Sequence, residues 1–387
     1  MKMLVIGLGQ CGARIADEFS RQNSRARSKR GVEIITGAFA VSTDTSDLID
    51  LTSIKADYKH RILIGAKELQ GLGVRGDNKL GAQVMQEHAD EVLEEIRNVR
   101  QFFETDAILV IAGAAGGIGS GALPVMMQRI KQRFHDNVVY AMVVLPYKYE
   151  EQEEARTVRN TAICLKSVAS VADAVILVDN EWYMADDVVK GDFSEINRAV
   201  VEPFYNLLCA GAEKRKEHIG AKLLDAGDVI QTLGGWTVVG SGRVDLPIGL
   251  ASLLPGGFGK ASSETSKGIR AMDEAIGEVS RLCKLEDAAS ALYLVSAPVQ
   301  EINLDLIKEL GNYLKKAARK AIIRSGDYPV GHGIMEVTVI LSQLSDVARV
   351  RDFYTRSVAP DDEEGPPPEV DHALPADGTE PAPDSPQ

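Results

Sequence analysis

Cysteine is scarce and dispersed in this 387-residue chain: Cys11, Cys164, Cys209 and Cys283, with no CxxC pair and no histidines at zinc spacing. That excludes a disulfide framework and a structural zinc site, and it fits a reducing, cytoplasmic setting. Long apolar runs are missing too. The longest, around Ala107–Ala115 and Val138–Pro146, fall short of the roughly 18 residues that a membrane-spanning helix needs. The first nine residues carry one lysine and end in glycines, not at a small-residue cleavage site. A soluble protein without membrane insertion is expected. Basic residues are absent from 357–387, a stretch that holds nine acids and eight of the chain's 15 prolines. The net charge of −13 therefore leaves only −4 for the rest. Such a segment cannot pack a core and predicts a disordered acidic tail, assigned to 351–387. Its charge repels phosphate backbones, so nucleic acid is not an expected partner. Arg25, Arg27, Lys29 and Arg30 form a small basic cluster that reads as a solvated loop.

What is present is alternation. Short Val- and Ile-rich runs (3–6, 34–41, 107–111, 138–145, 174–178) are separated by longer stretches such as 82–103, where Val84, His88, Val92, Ile96 and Val99 recur near helical spacing. This predicts a parallel sheet covered by helices on both faces, an α/β fold. A long helix is expected over roughly 194–224, with Pro203 kinking it or shifting its start. Residues 250–266 read as a flexible loop. A smaller unit follows: helix 267–282, strand 291–296, helix 304–323 and strand 335–341.

Two glycine loops carry the chemistry. Gly7-Leu8-Gly9-Gln10-Cys11-Gly12 follows the first strand and opens a helix. Glycines there allow positive φ and close approach of backbone to phosphate, while free N–H groups point at the anion. Alone it fits the dinucleotide fingerprint of a dehydrogenase, but the acid expected about 20 residues on is misplaced. Glu33 precedes the second strand and Asp44 follows it. The second loop, Gly113-Ala114-Ala115-Gly116-Gly117-Ile118-Gly119-Ser120-Gly121, again joins an apolar strand to a helix. Two such loops at the carboxyl ends of two strands suggest a nucleotide whose phosphates are held from both sides. No lysine follows the glycines, which excludes a P-loop.

With both loops in view, the sequence resembles the tubulin/FtsZ superfamily. Gly9–Gly12 (GQCG) is similar to the first nucleotide loop of tubulin, and Gly116–Gly121 (GGIGSG) to the signature GGGTG[ST]G. Ser42-Thr43-Asp44 stands where FtsZ usually has Asn-Thr-Asp. Gly71-Leu72-Gly73 with Gly76-Asp77-Asn78-Lys79-Leu80-Gly81 resembles the loop that senses the γ-phosphate. Asp179-Asn180-Glu181 looks like the DNEAL segment of tubulin, and 193–200 like the start of the central helix, with Asn197 at the guanine-reading position. After that helix, Leu223-Leu224-Asp225-Ala226-Gly227-Asp228 matches NxDxxD except for Leu223. The match spans roughly residues 2–345 in order.

That resemblance implies a Rossmann-like GTPase domain (1–193), a central helix (194–224), a C-terminal activation domain (225–350) and the acidic tail. It implies GTP or GDP as ligand with Mg²⁺, and head-to-tail self-assembly. Asp225 and Asp228 are the implied catalytic pair, reaching into the next subunit to polarise the attacking water. The implied nucleotide contacts are Gly9, Gln10, Cys11, Gly12, Asp44, Gly76, Asp77, Asn78, Gly116, Gly117, Ile118, Gly119, Ser120, Gly121, Asn180 and Asn197. In the loop after Leu145-Pro146, Glu150 and Glu151 are placed toward the ribose and Arg156 or Arg159 toward the guanine. Ala115 and Ile118 depart from the signature, and Ile118 removes a hydroxyl donor. The chain stops before tubulin's two long C-terminal helices would begin, and its last residues lack the docking peptide of FtsZ. The archaeal CetZ group, which also lacks that peptide, is an equally good comparison. The tail then reads as a solubilising polyanion or as a docking segment for an unidentified protein. Two alternatives stand beside a polymerising cytoskeletal GTPase: a nucleotide-regulated filament with little or no hydrolysis, and an NAD-dependent oxidoreductase.

Overall fold

The computed structural model describes residues 1–185, 193–213, 220–246, 257–331 and 333–358. The acidic run 359–387 lies outside them. The strands are β1 (Met3–Leu8), β2 (Ile35–Ser42), β3 (Arg61–Leu63), β4 (Ala107–Gly113), β5 (Val138–Leu145), β6 (Ala174–Asp179), β7 (Gly235–Asp245), β8 (Ser290–Ala297), β9 (Ile322–Pro329) and β10 (Ile334–Leu344). The helices are α1 (Gly9–Arg30), α2 (Ser46–Ile49), α3 (Ala66–Leu69), α4 (Asn78–Arg97), α5 (Gly117–Arg133), α6 (Lys148–Glu153), α7 (Ala155–Ala169), α8 (Asn180–Ala185), α9 (Phe193–Ala210), α10 (Ala226–Thr232), α11 (Gly257–Ser280), α12 (Leu304–Ala317) and α13 (Ala348–Val358).

All ten strands join one sheet in the order β3-β2-β1-β4-β5-β6-β7-β10-β8-β9. The pairs from β3 to β7 are parallel, β10 runs antiparallel to both β7 and β8, and β9 is parallel to β8. Strand alternation divides the core in two. Leu4, Ile6 and Leu8 of β1, with Ile108 and Val110 of β4, pack on the face covered by α4, α5 and α7. Met3 and Val5, with Leu109 and Ile111, pack on the face covered by α1 and α9. The alternation extends into β8, where Tyr293 and Val295 belong to the first face and Leu292 and Leu294 to the second. The expected fold class, a mostly parallel sheet clad by helices with a second α+β region, is therefore the observed one. The strands of both regions are continuous.

Several expected boundaries move. The central helix ends at Ala210, not near 224, and it runs through the buried Pro203. The turn of Ala212 N–H onto Cys209 carbonyl closes it. Helix α11 begins at Gly257, so the expected loop at 250–266 is helical from 257; 247–256 lie outside the described residues. Residues 322–323, read as the end of a helix, open β9. Residues 351–358, placed in the tail, belong to α13, whose Phe353 and Val350 are buried.

Candidate functional site

Register places the chemistry at one edge of the sheet. Leu8 pairs with Ala112 and with Val41, Gly113 with Val144, and Leu145 with Asp179, so β1, β2, β4, β5 and β6 all end together. Both glycine loops stand side by side there. Gly9 adopts φ +66°, and a side chain on it would strike Ile118 Cγ2 at 2.6 Å. Neither α1 nor α5 has a side-chain cap. By contrast Asp77 caps α4 by accepting from Lys79 and Leu80 N–H, and Asn303 caps α12 by accepting from Leu306 N–H. The uncapped first turns leave backbone N–H groups and the positive end of each helix dipole facing the same space.

The glycines divide into two kinds. Gly7, Gly12, Gly117, Gly119 and Gly121 are closed in by backbone, with a Cβ falling 2.0–2.8 Å from a neighbouring main-chain atom. Gly117 touches Asp77 N, and Gly121 touches Asn78 carbonyl oxygen, so they let α5 cross the start of α4. Gly116 meets nothing within 4 Å and is exposed. Ser120 turns inward: its hydroxyl donates to Gly116 carbonyl at 2.5 Å, and the residue is 1% exposed. It is not the free phosphate donor that the sequence suggests.

The neighbouring loops are tied to this edge. Gly73 N–H donates to Thr43 carbonyl and Thr45 N–H to Gly71 carbonyl. Asp44 forms a bridge with Leu72 and takes Ser46 N–H and hydroxyl on Oδ1. Asn160 donates to the carbonyls of both Gly76 and Ala115, which couples the two phosphate-side loops. Arg156 lies against Gly76, its Cζ 2.9 Å from where a Cβ would stand. It therefore belongs to the phosphate-side loop, not to the guanine end expected for it. Beside α1, a groove of about 360 Å³ is lined by Asn197, Phe193, Arg14 and Thr52, among others. Phe193, unassigned by sequence reasoning, is 57% exposed and offers a flat apolar face next to the amide of Asn197. Asn180 opens α8 at the same edge as these loops.

Glu151 is not open to a ribose. It is 7% exposed and gripped by Arg349 at 2.6 Å and by Arg356, both from α13. Glu150 instead accepts the N–H of Tyr147 at 2.8 Å and so caps α6. These partners lie some 200 residues away in sequence, and no local pattern announces them. Cys11 is half-buried, and burial pushes its thiol up to about 12, so it sits in the first loop as a neutral group.

Asp225 and Asp228 lie elsewhere. Each accepts the other's backbone N–H, at 2.8 and 3.3 Å, and together they cap α10. Asp228 also faces Arg324 Nε at 3.5 Å. Gly211, just past α9, packs against Leu224 carbonyl and Asp225 Cα. The charge of Asp225 acts on the amino group of Met1, which donates to Leu208 carbonyl. The acids thus sit at the start of β1, whereas the glycine loops sit at its end, a separation of about 20 Å along six residues. Helix α9, about 27 Å long for its 18 residues, runs from Asn197 at one end to the acids at the other. No single copy brings the two sets together.

A family model described as the Tubulin/FtsZ family, GTPase domain, matches residues 2–185, and one described as the tubulin-like CetZ C-terminal domain matches residues 186–359. Tubulin-like protein CetZ2 of Haloferax volcanii is 30% identical over 369 residues, covering 92% of this chain and 92% of its own. The GDP-bound monomer of CetZ1 from the same organism superposes with a TM-score of 0.76 at 27% identity, over 92% of this chain and 99% of that one. The GTPγS-bound protofilament of CetZ2 gives 0.75 at 28% identity, over 92% and 97%.

Proposed function

The chain belongs to the tubulin/FtsZ family, in its CetZ branch, and from that premise we propose that it binds GTP between its two glycine loops, polymerises head to tail and hydrolyses the nucleotide at each junction. One observation carries the reading: the loops and the acid pair lie at opposite ends of α9, so a second copy stacked along that axis is what closes the site.

Each component has a physical role. The uncapped starts of α1 and α5 receive the phosphates through backbone N–H groups, with Gly9 and Gly116 giving the approach. Arg156, beside Gly76, adds a positive charge on the γ-phosphate side. Asn197 reads the base edge and Phe193 covers its face. Asp225 and Asp228 of the adjoining copy hold the attacking water in line and accept its proton. Among the described residues no group of three or more His, Cys, Asp or Glu could hold a metal ion. A magnesium ion bound with the nucleotide would supply positive charge to offset that of the phosphates. None of the described helices is long and apolar enough to cross a membrane.

The test is hydrolysis per molecule as protein concentration rises. A steep increase through a critical concentration is expected, together with sedimentable filaments; a rate unchanged by dilution would place the whole site in one copy. Two features favour a second reading, a filament with little turnover. Ile118 covers Gly9 where the family signature has threonine, and Leu223, 55% exposed, stands in place of asparagine. Under that reading Asp225→Ala releases phosphate like the parent; under ours it loses at least tenfold. The oxidoreductase alternative lacks support, because the Asp44 carboxylate is occupied by Ser46.

A further inference from the structure

The carboxylate of Glu151 is the most enclosed acid in the region that borders the phosphate loops, and its partners come from the C-terminal helix. Arg349 Nη2 donates to Glu151 at 2.6 Å, reaches toward Pro146 carbonyl at 3.5 Å, and its Nε faces Asp179 at 3.5 Å. Arg356 reaches the second oxygen of Glu151 and also Asp352 at 3.1 Å. Both guanidinium groups stack over Phe353, at 4.9 and 5.9 Å. Two arginines one helical face apart thus fasten the segment after β5 to the end of β6 and to α13.

That segment is one wall of the proposed nucleotide site. Ala114 N–H donates to Val144 carbonyl, so the second glycine loop hangs from β5 immediately before Pro146. Glu150 is close enough to Cys11 for its charge to act on the thiol, and Tyr147 neighbours the same thiol. Lys148 N–H donates to Glu181 at 3.1 Å, which ties the wall to α8. Glu151 is held by α13, whereas Glu150 turns back to accept the N–H of Tyr147. Fixing Glu151 therefore fixes the orientation of the wall.

We propose that Glu151, Arg349 and Arg356 form a positioning clasp through which α13 sets the release rate of the bound nucleotide. This rests on the guanine-nucleotide reading above and adds a residue set to it. The acidic segment follows α13 directly in the sequence. The Glu151 carboxylate is enclosed, so this is not an ordinary surface pair: removing Arg356 leaves it with Arg349 alone to offset its charge.

The experiment measures dissociation of a fluorescent GDP from the full-length parent, Arg356→Gln and Arg356→Lys, alongside their nucleotide-free melting temperatures. Arg356 is chosen because it is the more exposed arginine, with 37% of its side chain accessible against 16% for Arg349, so the variant folds most readily. Expected is a five- to tenfold faster release for Arg356→Gln, restored to within twofold by Arg356→Lys. A fall in melting temperature with release unchanged would reduce the clasp to a structural tie and overturn the proposal. Equal acceleration in Gln and Lys variants would overturn it too, since charge is then not what holds the wall. A parent that binds no GDP would instead overturn the nucleotide reading on which it stands.

Discussion

Replacing Gly116 and Gly121 separately by alanine should split the second glycine loop into its two jobs. At Gly121 a Cβ would lie 2.0 Å from Asn78 carbonyl oxygen and 2.8 Å from Ala82 nitrogen. Both are main-chain atoms of α4, so relief requires the helices to separate, not a side chain to rotate. Overpacking costs about 1–3 kcal/mol, and rigid backbone neighbours put this case at the upper end, about 3 kcal/mol. At about 2 °C per kcal/mol for a chain of this size, melting should fall by about 6 °C. At Gly116 a Cβ meets nothing within 4 Å, and φ is −71°. Alanine there loses only a little as a helix cap, below about 1 kcal/mol, and melting should stay within about 2 °C of the parent. That Cβ nonetheless projects in front of the uncapped N–H groups of α5, so GDP should bind about tenfold more weakly, equivalent to about 1.4 kcal/mol. The assay pairs thermal melting without nucleotide with a fluorescent GDP titration. Equal melting of the two variants, or parent-like binding by Gly116→Ala, would refute the division of roles.

Three further outcomes follow from other parts of the molecule. Ile118→Thr should restore a hydroxyl donor beside Gly9 and tighten GTP binding by about three- to tenfold, in line with one added hydrogen bond of about 1 kcal/mol; titration that shows weaker binding would contradict this. Asp327, 2% exposed on β9, accepts from Ala221 N–H at 3.0 Å and Lys222 N–H at 2.6 Å, just before Asp225. Asp327→Asn should therefore slow hydrolysis about tenfold while leaving GDP affinity intact, as a loosened loop on the acid side demands; a change confined to affinity would rule it out. Burial pushes the thiols of Cys11, Cys164, Cys209 and Cys283 each up to about 12. A raised pKa means that the folded state favours the neutral thiol, so only about one in 10⁴ is thiolate at pH 8. Iodoacetamide at pH 8 should label all four only after denaturation, and rapid labelling of the native protein at any of them would disprove the environment described.

The sequence made the parallel half legible because its strands are fully buried, and continuous Val and Ile runs announce them. Its glycine loops were legible because so many glycines in a row are costly in a regular element and so mark a constraint, which for Gly117, Gly119 and Gly121 is close packing of α5. The antiparallel half was harder. In β7, Gly240 and Gly242 break the apolar pattern, and the reason lies across space: Ala275 and Ala271 carbonyls of α11 stand 2.5 and 2.0 Å from where their Cβ atoms would be. Strand β9 contains Gly326 and Asp327, turn residues by habit, yet Asp327 is there to bind the loop before Asp225. The C-terminal helix escaped notice because Arg349 and Arg356, two of its three arginines, are anchored by Glu151 about 200 residues earlier. Glu151 itself was misplaced for the same reason: its spacing in the loop is compatible with a sugar contact, and only a partner 198 residues away decides otherwise. Asp225 and Asp228 could be picked out by resemblance, but their separation from the glycine loops is a property of the fold.

Complementation between two inactive variants tests the proposed shared site most directly. Asp225→Ala keeps its glycine loops but lacks a catalytic acid, while Gly116→Val keeps its acids but blocks phosphate approach in space that is open in the fold. Alone, each should hydrolyse GTP at under a tenth of the parental rate. Mixed in equal amounts, they form junctions in which the loops of one meet the acids of the other, and hydrolysis should recover to roughly a quarter of the parental rate, as one junction in four pairs two intact halves. A mixture no more active than the sum of its components would show that loops and acids do not meet across copies.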